Sequence, residues 1–377
     1  MTTTINNEHK KLNVPNLRFP EFQGEWEEHY LSDYLDFKNG LNPKPDKFGK
    51  GIKFISVMDI LNNAIITNDC IRASVDVSEE ELQNFSVENG DMLFQRSSET
   101  LEDVGRANVY MDDKPAVFGG FVIRGKKKAE YNPLFFRYLL ASPFARKKII
   151  PMGAGAQHFY IGQEGLSKVK LNFASLGEQN KIAKLMLAID ERISTQNKII
   201  DKLQSLIKGI AYKLFQTART TKPLLEFAPN ITSGTDKSGS GTIPLYGSTG
   251  IIGTVKNASQ KGNIVLVARV GTIGTVQYVN EPCGVSDNAL IVEAGEMTKY
   301  IYHFLKTYNF ARITSGTTQP LITASSLKKA AIPTYDIESQ TRIVLCLNGL
   351  EKKLDIAKQY LSEIAVMKQY LLRQMFI

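Results

Sequence analysis

Long hydrophobic runs, paired cysteines and clustered histidines are missing from this sequence of 377 residues. No apolar run approaches the roughly 18 residues that a membrane span needs, so we expect no membrane association. The three cysteines (Cys70, Cys283 and Cys346) lie far apart without a CxxC pair, which favours a reducing cytoplasm with neither disulfides nor a zinc site. The polar start of the chain has no apolar core, so we expect no secretory signal. These absences predict a cytoplasmic globular protein.

The usual catalytic motifs are missing too. The four histidines are scattered, and the glycines of "GTDKSGSGT" (234–242) lack the Gly-Lys-Ser/Thr of a phosphate-binding loop. "NPLF" (132–135) lacks the second proline of the amino-methyltransferase loop, and Pro133 instead predicts the first turn of a helix. The acidic "DDK" (112–114) has no suitably spaced acidic partner for a nuclease site. We therefore predict no catalytic, cofactor-binding or metal-binding residues.

What the chain does have is a divergent internal repeat. "FFRYLLASPFAR" (135–146) matches "IYHFLKTYNFAR" (301–312), and the loop ending in Gln157 matches the one ending in Gln319. Upstream, "NGDMLFQ" resembles "KGNIVLV" and "GRANVY" resembles "GTVQYV". Each copy is too long for a solenoid repeat, so we interpret the copies as two domains.

Each copy ends in a long amphipathic helix. Apolar residues recur there with alternating spacings of three and four, and Ser175 and Glu178 are spaced as in a capping box. Such stripes usually pack on the core of their own domain, but their length and duplication favour two helices that bury their seams against each other as an antiparallel pair. The predicted seam comprises Ile182, Ile189, Ile193, Ile200, Leu203, Leu347, Leu350, Leu354, Leu361 and Ile364.

Before the helices, each copy has the pattern of a mixed α/β domain. Apolar runs such as "IKFISVMDI", "DMLFQ", "AVFGGFVI", "NIVLVARV" and "NALIVEA" have the length of strands and are bounded by Gly, Asn or Asp. The Gly-, Ser- and Thr-rich segment 220–262 is typical of exposed loops. The fold class is therefore α/β (α+β): two similar mixed domains separated by paired, coiled-coil-like helices.

Loops that mix basic, amide, hydroxyl and aromatic residues recur at matched positions of the two copies. Arg can pair with guanine or phosphate, and Gln can bond adenine. Together with a net charge of +8 and a pI near 9.1, the loops favour a polyanionic partner, although each residue taken alone is as readily a solvated loop residue. The candidate DNA contacts are Arg96, Ser97, Arg106, Gln157, His158, Tyr160, Arg269, Thr272, Thr317 and Gln319.

The duplicated order of loop, Gln, strand, "EQNKI" or "SQTRI" and helix, after the opening "PNLRFPEFQGEWEEHYLSD" (15–33), resembles the specificity subunit of type I restriction-modification systems. The resemblance covers nearly the whole chain; the second copy departs from it with Ser-Gln where the first has Glu-Gln. It implies a DNA-binding subunit without catalytic activity. It divides the chain into a flexible tail (1–14), a first target-recognition domain (15–175), a spacer helix (176–219), a second recognition domain (220–336) and a C-terminal spacer helix (337–377).

The resemblance also implies partners. Each recognition domain would read one half of a bipartite site in double-stranded DNA, and the helices would dock two methyltransferase subunits. S-adenosylmethionine, ATP and magnesium would belong to these and to two restriction (motor) subunits. A protein-binding scaffold built on the helical pair is the alternative, and a fused modification enzyme is disfavoured by the missing methyltransferase motifs.

Overall fold

The computed structural model describes residues 13–316 and 320–377. These residues form two compact units, the first comprising the chain up to Thr195 together with Leu361–Ile377 and the second comprising Gln196–Tyr360. The predicted tail (1–14) lies outside the described residues except for Asn13 and Val14, and the carbonyl of Asn13 accepts a hydrogen bond from the Trp26 amide at 2.8 Å.

Each unit contains many short strands. Those of the first unit are β1 (Glu27–Tyr30), β2 (Leu35–Asn39), β3 (Phe48–Ile55), β4 (Ser74–Val75), β5 (Ser86–Val87), β6 (Met92–Gln95), β7 (Ser97–Ser98), β8 (Ala107–Val109), β9 (Ala116–Phe118), β10 (Val122–Lys127), β11 (Ala154–Gly155), β12 (Phe159–Tyr160) and β13 (Lys170–Phe173). Those of the second unit are β14 (Thr220–Pro223), β15 (Thr232–Ser233), β16 (Ile243–Tyr246), β17 (Ile251–Val255), β18 (Ile264–Ala268), β19 (Val276–Val279), β20 (Gly284–Val285), β21 (Ala289–Val292), β22 (Thr314–Ser315), β23 (Leu321–Ile322) and β24 (Ala331–Thr334).

Both units contain short helices, and one long helix follows the last strand of each unit. The helices are α1 (Leu31–Tyr34), α2 (Val57–Asn62), α3 (Glu79–Phe85), α4 (Pro133–Ala141), α5 (Pro143–Ile149), α6 (Gln163–Ser167), α7 (Leu176–Gln216), α8 (Thr298–Leu305), α9 (Ala324–Lys328) and α10 (Ile337–Gln374). As predicted, Pro133 opens α4, and the Asn132 side chain before it accepts a hydrogen bond from the Phe135 amide at 2.9 Å.

The predicted repeat is confirmed in the sheets. The central sheet of the first unit has the order β2-β10-β6-β8, and that of the second has the matching order β15-β21-β18-β19. Strands β6 and β18, from "NGDMLFQ" and "KGNIVLV", are buried along their whole length, as expected for a strand flanked on both sides. In each unit the strand before the long helix pairs antiparallel with the first strand, β13 with β1 and β24 with β14.

The long helices contribute to the core of each unit. In the first unit, Ile182 and Ile189 of α7 share one hydrophobic cluster with Phe135 of α4 and with Ile364 and Leu372 of α10. In the second unit, the other ends of the helices do the same: Phe215 of α7 and Leu347 of α10 join Ile301 of α8. Within each unit the paired helices run antiparallel, and the seam faces both the partner helix and the domain core.

The two long helices also contact each other directly. The Gln196 amide donates to the Ala357 carbonyl at 2.9 Å, which ties α7 to α10 in the second unit. The side chains of the predicted seam that are half-buried rather than fully buried are Ile193, Leu203, Leu350, Leu354 and Leu361.

A repeated glutamine fastens each long helix to the strand before it. Gln179 is buried, and its amide donates to the Ala174 carbonyl at 2.8 Å and accepts from the Asn132 amide at 3.0 Å. The matching Gln340 donates to the Tyr335 carbonyl at 2.8 Å. These bonds explain why both copies have a glutamine there.

Glu178 has a role that the capping-box pattern did not predict. Its buried carboxylate accepts hydrogen bonds from Arg18 at 2.9 and 2.7 Å and from the Trp26 indole at 3.2 Å. The start of α7 is therefore tied to the beginning of the described chain.

Three strand or loop predictions are wrong in part. The run "IKFISVMDI" ends as a strand at Ile55, because the Asp59 carboxylate accepts from the Ser56 amide at 2.7 Å and opens α2. The run "AVFGGFVI" is two strands, β9 and β10, separated by a turn at Gly119 and Gly120. The segment predicted as loops contains the hairpin β16–β17.

One buried histidine links helices in the second unit. His303 of α8 has its Nε2 2.8 Å from Oδ1 of Asn348 and its Nδ1 3.9 Å from a carboxylate oxygen of Glu351. Burial lowers the pKa of His303, and the positive charges of Lys306 and Lys299 act in the same direction; the bond to Asn348 and the Glu351 charge oppose them. The ring is therefore neutral near neutral pH.

Candidate nucleic-acid interface

Sheet pairing brings most of the predicted contacts of the first unit together. Ser97 on β7 pairs with Tyr160 on β12, and the Arg96 carbonyl accepts a hydrogen bond from the Ile161 amide at 2.9 Å. Strand β12 also pairs with β11, so the exposed Gln157 and His158 form the turn of this hairpin. Residues about sixty positions apart in the chain thus share one surface, which we call the first reading surface (Arg96, Ser97, Gln157, His158, Tyr160).

The first reading surface borders a cavity of about 760 Å³ with mostly apolar walls. Ser97, His158 and Tyr160 line the cavity. Three exposed apolar side chains line it as well, and these are Phe48, Met58 and Phe121. The cavity mouth therefore combines hydrogen-bonding groups with aromatic faces.

Phe121 is 65% exposed, and hydrogen bonds hold its backbone in place. Its carbonyl accepts from the Arg96 amide at 2.9 Å, and the Arg96 guanidinium donates to the Gly120 carbonyl at 3.1 Å. A Cβ atom on Gly119 would lie 2.6 Å from the Phe54 ring, and one on Gly120 would lie 2.0 Å from the Asn42 side chain. A larger residue at either position would have to displace a neighbouring side chain, which favours glycine in the turn that presents Phe121.

The structure places Arg106 elsewhere. It lines a separate cleft of the first unit and pairs with Asp103 at 2.6 Å. The Arg106 carbonyl does accept from the Gln95 amide at 2.7 Å, but its side chain is not part of the wall of the larger cavity.

The second unit repeats the same construction. The Arg269 carbonyl accepts from the Ile322 amide at 3.0 Å, as Arg96 accepts from Ile161. The Arg269 amide donates to the Asn288 carbonyl at 3.0 Å, which makes Asn288 the counterpart of Phe121. The predicted contacts Thr317 and Gln319 lie outside the described residues, in the gap between Gly316 and Pro320.

Thr272 lies in an exposed turn, where its carbonyl accepts from the Thr275 amide at 3.1 Å. This turn adjoins the tip of the β16–β17 hairpin, since a Cβ atom on Gly271 would lie 4.0 Å from Oγ of Ser248. The hairpin tip exposes Ile251 and Ile252. Arg269, Thr272, Asn288 and this tip form the second reading surface.

A half-buried tyrosine anchors that hairpin. The Tyr246 hydroxyl donates to Glu281 at 2.7 Å. Burial and, to a lesser degree, the Glu281 carboxylate raise the pKa of Tyr246 to about 12, so the phenol keeps its proton and remains a donor at neutral pH.

Sequence reasoning missed Phe121, Asn288 and the Ile251–Ile252 tip. The available signal was the Gly-Gly pair before Phe121. Such a pair marks a turn, and turns lie at the surface of a protein. Asn288 could be recognised only once the repeats were superposed by their strand pairing.

Among the described residues, no group of three or more His, Cys, Asp or Glu side chains could hold a metal ion. In the same part of the chain, no helix is long and apolar enough to cross a membrane.

Comparison with known proteins gives matches over both repeats. The family described as "Type I restriction modification DNA specificity domain" matches residues 23–205 and 224–366. A protein named as the specificity subunit of type I restriction enzyme MjaX, from Methanocaldococcus jannaschii, is 27% identical over 212 residues, which cover 55% of the chain and 49% of that protein. The specificity subunit of type I restriction enzyme EcoKI from Escherichia coli is 25% identical over 214 residues, covering 55% and 45% respectively. The aligned region thus spans about half the length of these curated relatives.

Solved structures share the fold. The S subunit of a type I restriction-modification system from M. genitalium matches with a TM-score of 0.64 at 18% identity, covering 97% of the chain and 99% of that protein. A chain from a structural study of complex assembly and conformational transition in a type I R-M system matches with a TM-score of 0.58 at 14% identity, covering 92% and 96%. Two units and two long helices are therefore an arrangement that solved structures also have.

Proposed function

The chain belongs to the family of type I restriction modification DNA specificity domains, and on this premise we propose that it recognises double-stranded DNA in two parts, one with each unit. The observation that carries the proposal is the duplication of one loop framework with different side chains at matching positions. In each unit the carbonyl of one arginine, Arg96 or Arg269, accepts a hydrogen bond from the amide of an isoleucine. The amide of the same arginine donates to the carbonyl of Phe121 in the first unit and of Asn288 in the second. Two frameworks with different side chains suit two different half-sites.

The chemistry of the reading surfaces suits base recognition. Hydroxyl, imidazole and amide groups can bond base edges, an asparagine can bond adenine bidentately, and a phenylalanine can contact the thymine methyl group. Beside Phe48, the segment 42–53 carries Lys44, Lys47, Lys50 and Lys53. Asp46 is the one acid within the segment, and Asp76 pairs with Lys47 at 3.5 Å and Lys50 at 3.4 Å. These lysines would supply phosphate contacts.

The chain would act as the specificity subunit and not as the enzyme. Methyl transfer and cleavage would belong to two methyltransferase and two restriction subunits. S-adenosylmethionine, ATP and magnesium would then be bound by those partners.

Exposed apolar side chains on the long helices support docking of the methyltransferase. Leu206 on α7 is 50% exposed, and Val366 on α10 is 67% exposed. Large apolar residues so exposed on a helix commonly mark a partner surface. The others are Ile199, Tyr212, Ile337, Leu345, Ile356, Tyr360, Met367 and Tyr370.

The test of DNA reading is selection of bound duplexes from a random library by the chain co-purified with its methyltransferase. We expect two defined half-sites separated by an undefined spacer. Tyr160→Ala and Phe121→Ala should each relax one half-site, with a loss of about 1–3 kcal/mol for a specific contact. Tyr30→Ala is the matched control, because Tyr30 is 43% exposed against 49% for Tyr160 and lies away from the cavity wall.

Salt dependence separates DNA reading from the scaffold alternative. Binding through phosphate contacts must weaken steeply as salt rises. Salt-independent binding, or selection that returns no sequence preference, would favour a protein-binding scaffold and reject the proposal.

The docking surface has its own test. Leu206→Gln and Met367→Gln should reduce co-purification of the methyltransferase, because each places a polar group in an apolar interface. Leu225→Gln is the control, since Leu225 is 48% exposed but lies outside the long helices. Equal yields from all three variants would exclude this surface.

A further inference from the structure

A basic cleft of about 420 Å³ lies in the first unit, apart from the reading surface. It is lined by residues of the 101–106 segment, of α4 and α5, and of the last turns of α10. Four of its lining residues are cations (Arg106, Arg137, Arg146 and Lys368) against one lining acid, Glu102, and we call it the arginine cleft.

Three of the four cations have carboxylate partners. Arg106 pairs with Asp103 at 2.6 Å. Arg137 and Lys368 both pair with Asp190, at 3.3 and 2.5 Å. Arg137 and Lys368 are therefore compensated inside the fold, whereas the Arg106–Asp103 pair is more than a third exposed and remains open to solvent.

Arg146 is different. One guanidinium nitrogen, Nη2, donates to the carbonyls of Glu102 at 2.8 Å and Val104 at 2.6 Å. The other, Nη1, is buried and has no hydrogen-bond partner within the part of the chain that the structure describes. A buried, charged donor without an acceptor is unfavourable, and such a group calls for an ion or a water molecule as its acceptor.

The electrostatics point the same way. Burial, followed by the nearby charge of Arg106, lowers the pKa of Arg146 to about 10. An anion between the two arginines would remove the repulsion and supply the missing acceptor. A planar guanidinium matches the oxygens of a phosphate group well.

We propose that the arginine cleft binds a phosphate-type oxyanion, held by Nη1 of Arg146 and the guanidinium of Arg106. Arg106 can reach solvent because its side chain is 55% exposed. The inference goes beyond the proposed function, because an anion site can exist whether or not the loops read bases. Since Arg146 also fastens the 101–106 segment, which follows β7 in the chain, a bound anion would stabilise the connection to the first reading surface.

Inorganic phosphate tests the site directly. The melting temperature of the full chain is followed as phosphate replaces chloride at constant ionic strength, which gives an apparent affinity. Arg106→Gln should weaken that affinity by about tenfold or more, the effect of losing one charge-assisted hydrogen bond. Arg72→Gln, which removes an exposed arginine of the same unit, should leave it unchanged.

A second variant protects the test from a folding defect. Arg146→Lys keeps the charge but loses the planar fork, so it should also weaken phosphate binding; if it fails to fold, Arg106→Gln still decides, because Arg106 is exposed. Equal phosphate affinity in the wild-type chain and in Arg106→Gln would overturn the proposal.

The source of the anion is assigned by DNA binding. If a backbone phosphate of DNA occupies the cleft, Arg106→Gln should reduce the slope of log affinity against log salt by about one. An unchanged slope together with lost phosphate binding assigns the site to a free phosphate-type ion. Both results support the site, and only the phosphate titration can reject it.

Discussion

Lengthening both long helices should widen the gap between the two half-sites of the DNA target. Helices α7 and α10 each pass from one unit to the other, at Thr195 and at Tyr360. An insertion in only one of them would be opposed by the other. The perturbation is therefore paired: four helix-forming residues after Thr195 and four after Tyr360.

The expected change follows from helix geometry. Four residues add about 6 Å to a helix, at about 1.5 Å per residue. DNA advances about 3.4 Å per base pair, so the spacer should grow by one to two pairs. Four residues also turn a helix by about 400°, which leaves a net rotation of about 40°. One base pair rotates DNA by about 34°, so the added rotation fits the longer spacer.

The structure also provides the control, an insertion of the same length between Gln216 and Thr220. Phe215 is already in the core of the second unit, Oγ1 of Thr217 lies 3.0 Å from the Tyr335 hydroxyl, and Thr220 pairs with Thr334. Added residues there would form a loop within that unit and leave the spacer unchanged.

The assay is genome-wide mapping of methylated adenines in cells that carry each variant with the partner subunits. We expect unchanged half-sites and a longer spacer for the paired insertion only. A paired insertion that methylates the original site would refute the idea that these helices set the distance. So would a longer spacer from the control insertion.

Three further predictions concern modularity and stability. Replacing residues 220–336 by the equivalent segment of a relative should change one half-site in the methylation map, and a change in both would contradict two independent readers. Gln179→Ala should destabilise the chain by about 1–3 kcal/mol, because the Asn132 amide and the Ala174 carbonyl lose their partner. Gln340→Ala, at a half-buried position, should destabilise it less. Equal shifts in the urea midpoint would count against this ranking. His303→Gln should flatten the dependence of stability on pH. The folded pKa of His303 lies below the unfolded value of about 6.5, so the wild type should lose stability as the pH falls below 6.5, by at most about 1.4 kcal/mol per pH unit. Parallel melting profiles of the two proteins between pH 7.5 and 5.5 would show that His303 is not the group responsible.

The site was predicted less completely than the fold. Arg96, Ser97, His158 and Tyr160 were predicted as DNA contacts from loop composition; the structure places them on one surface, and their contact with DNA stays a prediction. Arg106 came from the same loop but lies in another cleft, because the 101–106 segment turns away where the Arg146 guanidinium binds its carbonyls. Composition identifies a loop as polar, but it does not tell which side of the domain a side chain faces.

Local chemistry in the sequence was sufficient for the duplication, the mixed α/β class and the long helices. Helical periodicity and buried apolar strands are patterns between near neighbours, and they survive divergence because each repeat must bury its own core. What only the tertiary structure decided depends on pairing between distant residues. The contact of β7 with β12 builds the reading surface, and the register around Arg96 and Arg269 makes Phe121 and Asn288 counterparts. The ends of the long helices pack into the two cores, and this packing decides where the spacer can be lengthened. It depends on side chains that lie far apart in the sequence and meet only in the folded chain.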